Sequence, residues 1–129
     1  MKIYQGKTVI KYSTPDRLVT DFRTPLSIIY VDGKELKSRM IEPSPRTKFR
    51  TFAWGYSGVF PQNVAVSVLC DFFDIDDYRV LYSNAENAFV TAHFYEFVCR
   101  EKRNSWQISE KDLGEFIMRT LERMDNEQQ

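Results

Sequence analysis

Length, composition and charge exclude several classes of protein. The 129 residues suffice for one domain with a substantial core and are too few for two ordinary domains. No apolar run approaches the ~20 residues that span a bilayer, and the sequence does not begin with a charged and then apolar leader. We therefore expect a single cytoplasmic domain over residues 1–129 that binds no membrane.

The net charge is zero, but the charged residues are unevenly distributed. Residues 1–55 carry 11 Lys and Arg against 5 Asp and Glu, whereas residues 56–129 carry 7 against 13. Each half can bind a partner of opposite charge, or the two halves can neutralise each other within the fold. The sequence leaves both interpretations open.

Strand signals dominate residues 1–55. Two short strand-like segments within residues 2–12 flank Gly6, a pattern that predicts a hairpin with Gly6 at its turn. Residues 26–31 are rich in β-branched and aromatic residues and are followed directly by Asp32-Gly33, which is typical of a tight hairpin turn. The return strand is predicted to cover residues 34–41.

Two segments of the first half lack a strand pattern. Residues 13–24 contain mixed charges and no strong period, which predicts a loop. Residues 42–48 contain two prolines and no apolar residue, so they cannot continue a central strand. We expect an exposed, basic connector there.

Residues 52–61 are predicted to turn the chain from the sheet into the first helix. Gly55 and Gly58 stand between large aromatic residues and allow backbone conformations that those residues disfavour. Pro61 suits the first turn of a helix, where its missing N–H has no intrahelical partner. This pattern indicates a strand end, a sharp turn and a helix start, with Phe60 as the N-cap.

Two helices are predicted after this turn. The first covers residues 61–73. Ser83 and Glu86 have the spacing of a capping box, so the second helix is expected to begin there and to continue to about Arg103. Apolar residues cover most of the circumference of the second helix, which indicates a central, mostly buried position.

A third helix, N-capped by Ser109, completes the predicted fold. Its apolar residues recur at helical spacing and form one stripe: Leu113, Phe116, Ile117, Leu121 and Met124. Residues 125–129 are expected to be a frayed tail. The predicted class is α+β, with an antiparallel sheet from the strand-rich, basic residues 1–55 covered on one face by three helices from the acidic residues 56–124.

The order of these features resembles a family of small bacterial and phage-borne proteins with no known activity. The signature of that family, W-G-Y-G-G-S-G-P, corresponds here to residues 54–61. The paired aromatic residues of its second helix correspond to residues 94–97, and the tryptophan before its last helix corresponds to Trp106. The resemblance extends from about Ser44 to Ile117 and implies a domain of unknown function.

The W-G-Y turn is the first candidate site. Trp54 or Tyr56 can stack on a base, Ser57 can donate a hydrogen bond, and the helix start at Gly58 can offer backbone N–H groups to an anion. The glycines of the family at the places of Ser57 and Phe60, and its serine at Val59, are absent here, which weakens the case for such a cradle and allows the bulky pair to be core or a contact surface. The alternative is a structural corner whose rings fill the junction of sheet and helix.

Basic residues on the predicted hairpin and connector form the second candidate site. They are interleaved with aromatic residues and comprise Lys34, Lys37, Arg39, Arg46, Lys48 and Arg50. Such a surface can follow a phosphate backbone and stack on bases, or it can bind an acidic protein. The alternative is a charged edge that prevents strand aggregation.

The residues that could support catalysis show no convincing arrangement. His93 falls in the middle of a predicted helix, and neither Cys70 nor Cys99 belongs to a C-x-x-C pair. The acidic cluster at residues 71–77 lacks the glycine and the closing glutamate of a calcium loop. We therefore expect no enzyme activity, no cofactor and no metal.

The function expected from the sequence is non-enzymatic binding. The leading hypothesis is an interaction protein of phage or mobile-element type that inhibits a host defence complex through a charged face, as anti-CRISPR proteins do. One alternative is a binder of a nucleotide-sized anionic molecule at the W-G-Y turn and the first helix N-terminus. Another is nucleic-acid binding through the basic hairpin. The sequence leaves the oligomeric state open.

Overall fold

The computed structural model describes residues 1–12, 23–47 and 50–127. In these ranges a four-stranded antiparallel sheet packs against three α-helices, which confirms the predicted α+β class. Lys48 and nearly all of the predicted loop at residues 13–24 lie outside the described residues.

The sheet has the strand order β3-β2-β1-β4, and all its neighbours are antiparallel. Its strands are β1 (Ile3–Tyr12), β2 (Arg23–Val31), β3 (Lys34–Glu35) and β4 (Ser105–Ser109). Three strands come from the first half of the chain, the half that was predicted to form the sheet. The fourth, β4, lies between the second and third helices and pairs with β1. The sequence analysis did not predict β4.

The predicted hairpin around Gly6 is wrong, because β1 is one continuous strand. Gly6 lies opposite Ile29 on one side and Trp106 on the other. A Cβ atom at position 6 would be only 2.6 Å from Cζ2 of Trp106. The glycine therefore serves the close approach of an indole ring to the strand, not a turn.

The hairpin at Asp32-Gly33 is confirmed, but its second strand is much shorter than predicted. Asp32 (φ 51°) and Gly33 (φ 81°) both have positive φ, which is the pattern of a type I′ turn. The return strand β3 contains only Lys34–Glu35 instead of residues 34–41.

The chain leaves the sheet after β3 because its backbone bonds to the first helix. The side chain of Asn63, which is fully buried, accepts a hydrogen bond from the Met40 N–H at 3.1 Å and donates one to the Thr51 carbonyl at 2.6 Å. The buried Ser67 hydroxyl accepts from the Arg39 N–H at 3.0 Å. Two polar side chains of one helix thus hold the connector that follows the hairpin.

The helices are α1 (Val59–Phe73), α2 (Ala85–Arg100) and α3 (Glu110–Glu127). Helix α1 begins two residues earlier than predicted, with Gly58 instead of Phe60 as its N-cap. The predicted capping box at Ser83 is also wrong, since Asn84 is the N-cap of α2 and accepts from the Asn87 N–H at 2.8 Å. Both errors are shifts of one or two residues at a helix start.

The central buried helix is α1, not α2 as predicted. Residues 63–70 of α1 are all buried, including the polar pair Asn63 and Ser67. Helix α2 buries only four side chains, and its Phe97 is 45% exposed. Apolar content alone was therefore a poor guide to which helix lies innermost.

The predictions for α3 are largely confirmed. Leu113, Ile117 and Met124 are buried, and the other two residues of the predicted stripe are partly buried against the core. Ser109 caps the helix by accepting from the Asp112 N–H at 3.0 Å. The helix continues through Glu127, where a frayed tail was predicted. In the described ranges, no helix has both the length and the apolar character needed to cross a bilayer.

Candidate functional site

The W-G-Y turn packs against the end of α2. The Gly55 N–H donates to the Val98 carbonyl at 3.2 Å, and the Gly55 carbonyl accepts from Lys102 Nζ at 2.6 Å. Gly55 has φ 88°, and a Cβ atom there would be 2.8 Å from the Glu101 carbonyl oxygen. Only glycine fits this position without strain.

Trp54 is held by structural contacts on two sides. Its indole N–H donates to the Arg103 carbonyl at 2.7 Å, and its ring meets Trp106 edge to face at a centroid distance of 5.4 Å. These contacts join the turn to the segment that leads from α2 into β4. They favour the structural interpretation of Trp54 over base stacking.

Gly58 also forms a hydrogen bond within the fold. Its N–H donates to the Tyr95 hydroxyl of α2 at 3.0 Å, so this group does not face an anion. Helix α1 has no side-chain N-cap and no acidic residue in its first turn. The N-terminus of α1 therefore keeps its partial positive charge, with no acidic residue in the first turn to neutralise it. The Gly58 N–H, however, is already hydrogen-bonded within the fold.

The outward-facing residues lie between and after these anchors. Tyr56 is 46% exposed and Val59 is 52% exposed, and Ser57 is exposed between them. Phe60 is partly exposed and lies under the Arg50 guanidinium, whose carbon is 5.9 Å from the ring centroid. We call these five residues the corner surface. The structure thus brings Arg50, predicted as part of the basic site, to the W-G-Y turn.

The other described residues of the predicted basic site lie on different segments of the chain. Lys34 and Lys37 are exposed beside the β2–β3 turn, and Arg46 is exposed on a short 3-10 helix at Pro45–Thr47. Arg39 is partly buried, and its Nη1 donates to the Ile75 carbonyl at 2.9 Å. Arg39 therefore links the segment after β3 to the residues that follow α1.

Charge neutralisation between the two halves is limited among the described residues. Of the four ion pairs found there, only the one between Lys2 and Asp71, at 3.2 Å, joins the basic half to the acidic half. Asp71 also accepts from the Tyr4 hydroxyl at 2.8 Å. Burial and this hydrogen bond raise the pKa of Tyr4 far above its ordinary value. Asp71 is thus a structural anchor of β1.

The candidate catalytic residues have local structural contacts. His93 Nδ1 lies 3.0 Å from the Phe89 carbonyl oxygen, and its ring stacks on Phe89 at 4.2 Å. Cys70 is fully buried, and burial raises the pKa of its thiol, which disfavours the reactive thiolate. Within residues 1–12, 23–47 and 50–127, no cluster of three His, Cys, Asp or Glu residues could hold a metal ion.

A groove between α1 and α3 was missed by the sequence analysis. It has a volume of about 690 Å³ and is lined by apolar residues of both helices, among them Phe73 and Met118. A signal was present in the sequence, because Gly114 and Met118 interrupt the otherwise polar face of α3. The W-G-Y residues do not line this groove.

The comparison with known families places the corner within a matched region. Residues 22–119 match the model of a family of unknown function, which is three quarters of the chain. The chain belongs to DUF6166. The DUF6166 region begins well before the Ser44 at which the resemblance was expected to start, and it contains β2, the corner surface, α1, α2 and β4. No curated protein and no solved structure shows a significant match to the chain.

Proposed function

We propose that this DUF6166 protein is a non-enzymatic interaction domain that binds another protein through the corner surface. The observation that carries the proposal is the fixed presentation of Tyr56. Its loop is held by hydrogen bonds at Trp54, Gly55 and Gly58, while the ring itself is 46% exposed. An exposed tyrosine on a rigid loop gives contact area at a low entropic cost, as binding hot spots do.

Electrostatics favour an acidic partner. The N-terminus of α1 carries partial positive charge and has no acidic residue in its first turn. Arg50 lies over Phe60, and the exposed Lys102 reaches the Gly55 carbonyl from the other side of the turn. An acidic side chain beside an apolar residue of the partner would complement this surface.

The same geometry supports binding over catalysis. The only histidine is bonded and stacked within its own helix, and the Cys70 thiol is buried. Neither residue lines the corner surface. The groups there are a phenol, a hydroxyl, apolar side chains and the Arg50 guanidinium, which suit recognition of a surface.

The proposal extends to the biological setting. The partner is a protein of a bacterial host, and the domain acts for a phage or mobile element by inhibiting a defence complex. This part is supported by the resemblance of residues 54–61 to phage-borne proteins. Lys34, Lys37 and Arg46, which are exposed, would extend the contact if the partner's acidic surface is large.

Comparative affinity capture tests the proposal. The wild-type protein, a Tyr56→Ala/Val59→Ser variant and an Arg50→Glu variant are used to capture proteins from a bacterial lysate, with quantification by mass spectrometry. We expect a protein that the wild type enriches and that both variants lose by about tenfold or more, as for hot-spot residues. Arg123→Glu, which makes the same charge change at an exposed position of α3 outside the corner surface, should retain it.

Two results would contradict the proposal. One is equal capture of the same proteins by wild type and by the Tyr56→Ala/Val59→Ser variant. The other is the absence of any protein enriched over a blank matrix. Thermal unfolding of each variant serves as the control for folding, since substitutions of exposed residues should change stability by less than about 0.5 kcal/mol.

An anionic small molecule at the same place is a second candidate. It is favoured by the uncapped start of α1 and the nearby guanidinium of Arg50. Thermal-shift measurements with a panel of nucleotides test it, with Arg50→Ala as the matched variant. A shift that Arg50→Ala abolishes supports this candidate, and no shift with any nucleotide rejects it.

A further inference from the structure

The groove between α1 and α3 is an apolar surface that the fold of one chain leaves uncovered. Met118 is 61% exposed beside it, and Phe73 at the end of α1 is 37% exposed. The core-facing stripe of α3 is already occupied by other residues, including Leu113 and Ile117. Helix α3 therefore has a second apolar strip, centred on the exposed Met118, which shares Leu121 with the core-facing stripe.

This second strip is narrow and has Met118 at its middle. Gly114 precedes Met118 by four residues and Leu121 follows it by three, so the three lie on one helix face. All three line the groove. Gly114 carries no side chain, and Phe72 lies beneath it, 3.7 Å from the position of a Cβ atom. Phe72 of α1 therefore forms the floor of the groove at Gly114.

Opposite charges stand at equal distances on either side of Met118. Lys111 is seven residues before it and Asp125 is seven residues after it, which is about two helical turns in each direction. Both are exposed, and none of the ion pairs between described residues includes them. Glu115 and Arg119 between them lie 4.0 Å apart and neutralise each other within the helix.

We infer that this face binds a second copy of the chain, with the two α3 helices antiparallel around a two-fold axis at Met118. In that arrangement each Lys111 faces Asp125 of the other copy, so the contact contains two equivalent ion pairs. Each Met118 enters the groove beside Gly114 of the other copy. A closed two-fold contact of this kind uses the same patch on both molecules.

Lys111 and Asp125 also disfavour the parallel arrangement. Parallel helices in register would place Lys111 beside Lys111 and Asp125 beside Asp125, which is repulsive. The antiparallel arrangement turns both repulsions into attractions. The pattern is therefore complementary to itself in one orientation only, which favours a second copy over an unrelated apolar partner.

Sedimentation equilibrium of the full chain tests the inference, over about 1 to 200 μM, the range in which contacts of micromolar affinity dissociate. We expect a monomer–dimer equilibrium in the wild type. Lys111→Asp alone and Asp125→Lys alone should each raise the dissociation constant at least about tenfold, because each creates two like-charged contacts. The double variant Lys111→Asp/Asp125→Lys should restore the dimer to within about threefold of the wild type.

Mixing the two single variants gives an independent readout. One copy then carries acidic residues at both positions and the other carries basic residues at both, so the mixture should form a heterodimer although neither variant dimerises well alone. Met118→Asp should abolish dimerisation. Arg123→Glu, an exposed charge change on the same helix away from Met118, should leave the dissociation constant unchanged.

Each contrary outcome overturns the inference. A chain that is monomeric at every concentration assigns the groove to another occupant. A dimer that Met118→Asp does not weaken uses a different surface. Failure of the double variant to restore the dimer refutes the antiparallel pairing. Tyr56→Ala should not affect dimerisation, so the result is separate from the test of the corner surface.

Discussion

Replacement of Asn63 by alanine should be among the most destabilising substitutions in the connector region. The Asn63 side chain is fully buried and makes four hydrogen bonds. Two of them satisfy backbone groups, the Met40 N–H and the Thr51 carbonyl. Asn63→Ala removes the hydrogen-bond partner of both groups at once.

The magnitude follows from the number of groups left without a partner. An unsatisfied buried polar group costs about 1–3 kcal/mol, and the partial burial of Met40 and Thr51 places each near the lower end of that range. Together with the small cavity, the free energy of unfolding should fall by about 3 kcal/mol. That is a large part of the roughly 5–15 kcal/mol by which domains are stable.

Urea denaturation followed by circular dichroism measures this loss. With a slope near 2 kcal/mol per molar urea, the midpoint should fall by about 1.5 M. Asn126→Ala, a change of the same residue type at an exposed position of α3, should stay within about 0.5 kcal/mol of the wild type.

The neighbouring Ser67 provides a stricter test. Ser67→Ala removes the partner of the Arg39 N–H and should cost about 1–2 kcal/mol. Because the Ser67 hydroxyl also donates to Asn63 at 3.0 Å, the double variant should cost less than the sum of the single variants. A loss below about 1 kcal/mol for Asn63→Ala would refute the role given to this network.

Three further substitutions test single contacts. Gly6→Ala should lower the free energy of unfolding by about 2 kcal/mol in the same urea assay, because its methyl group overlaps the Trp106 ring. Gly55→Ala should cost at least about 1 kcal/mol, since φ is 88° and the methyl group meets a carbonyl oxygen at the end of α2. Tyr4→Phe removes the hydrogen bond to Asp71 and should cost about 1–2 kcal/mol at neutral pH, a difference that should shrink as the pH rises above 10.0, the ordinary pKa of tyrosine.

The direction of the pH effect follows from the raised pKa of Tyr4. The folded state holds the phenolic proton more tightly than the unfolded chain, so this stability is complete below the ordinary value of 10.0 and is lost as the pH rises above it. Burial also raises the pKa of Cys70 from 9.0, which adds alkaline destabilisation that Tyr4→Phe retains. Parallel stability curves for wild type and Tyr4→Phe between pH 9 and 11 would contradict the assignment to Tyr4.

A control for Gly55→Ala comes from Gly33. It has φ 81° but no atom within 4 Å of an added Cβ, so Gly33→Ala isolates the cost of backbone strain. No loss of stability in Gly6→Ala would show that the Trp106 ring can move away from the strand at no cost. Equal costs for Gly55→Ala and Gly33→Ala would show that the carbonyl contact at Gly55 is unimportant.

The helices and the tight hairpin were predictable because their signals are local. The stripe of α3 repeats at helical spacing over several turns, and Asp32-Gly33 specifies its turn within two residues. Helix starts were displaced by one or two residues because Gly58 and Asn84 compete with equally plausible neighbours for the cap. Local patterns thus defined the elements better than their ends.

The errors concern contacts between residues far apart in the sequence. Gly6 resembles a turn residue in the sequence, because its contact with Trp106 is not visible there. Strand β4 contains only two inward apolar residues, which are too few to indicate a strand. The end of β3 depends on Asn63 and Ser67. Their side chains bind the backbone of Met40 and Arg39, which lie more than 20 residues earlier. No local pattern could indicate these partners.

The candidate sites were predictable only in part, because some of their residues form tertiary contacts that the sequence does not show. The exposure of Tyr56 and Ser57 fits a recognition role, whereas Trp54 and Gly58 are used by the fold in contacts to α2 and to the segment after it. Arg50 joined this site only through its contact with Phe60. The sequence could supply the residue types of a site but not the tertiary contacts that occupy some of them.

The first strand has a consequence for how this molecule can be divided. The region shared with DUF6166 starts at residue 22, yet β1 lies in the middle of the sheet and is bonded on both sides, to β2 and to β4. The residue before β1 also reaches α3, since the Glu110 N–H donates to the Lys2 carbonyl at 2.8 Å. A polypeptide that starts at residue 22 would lack β1 and would have a gap between β2 and β4. A synthetic peptide of residues 1–12 should bind in that gap. The shortened protein and the peptide would form a complementation system, and their reassembly would show whether the four-stranded sheet has formed.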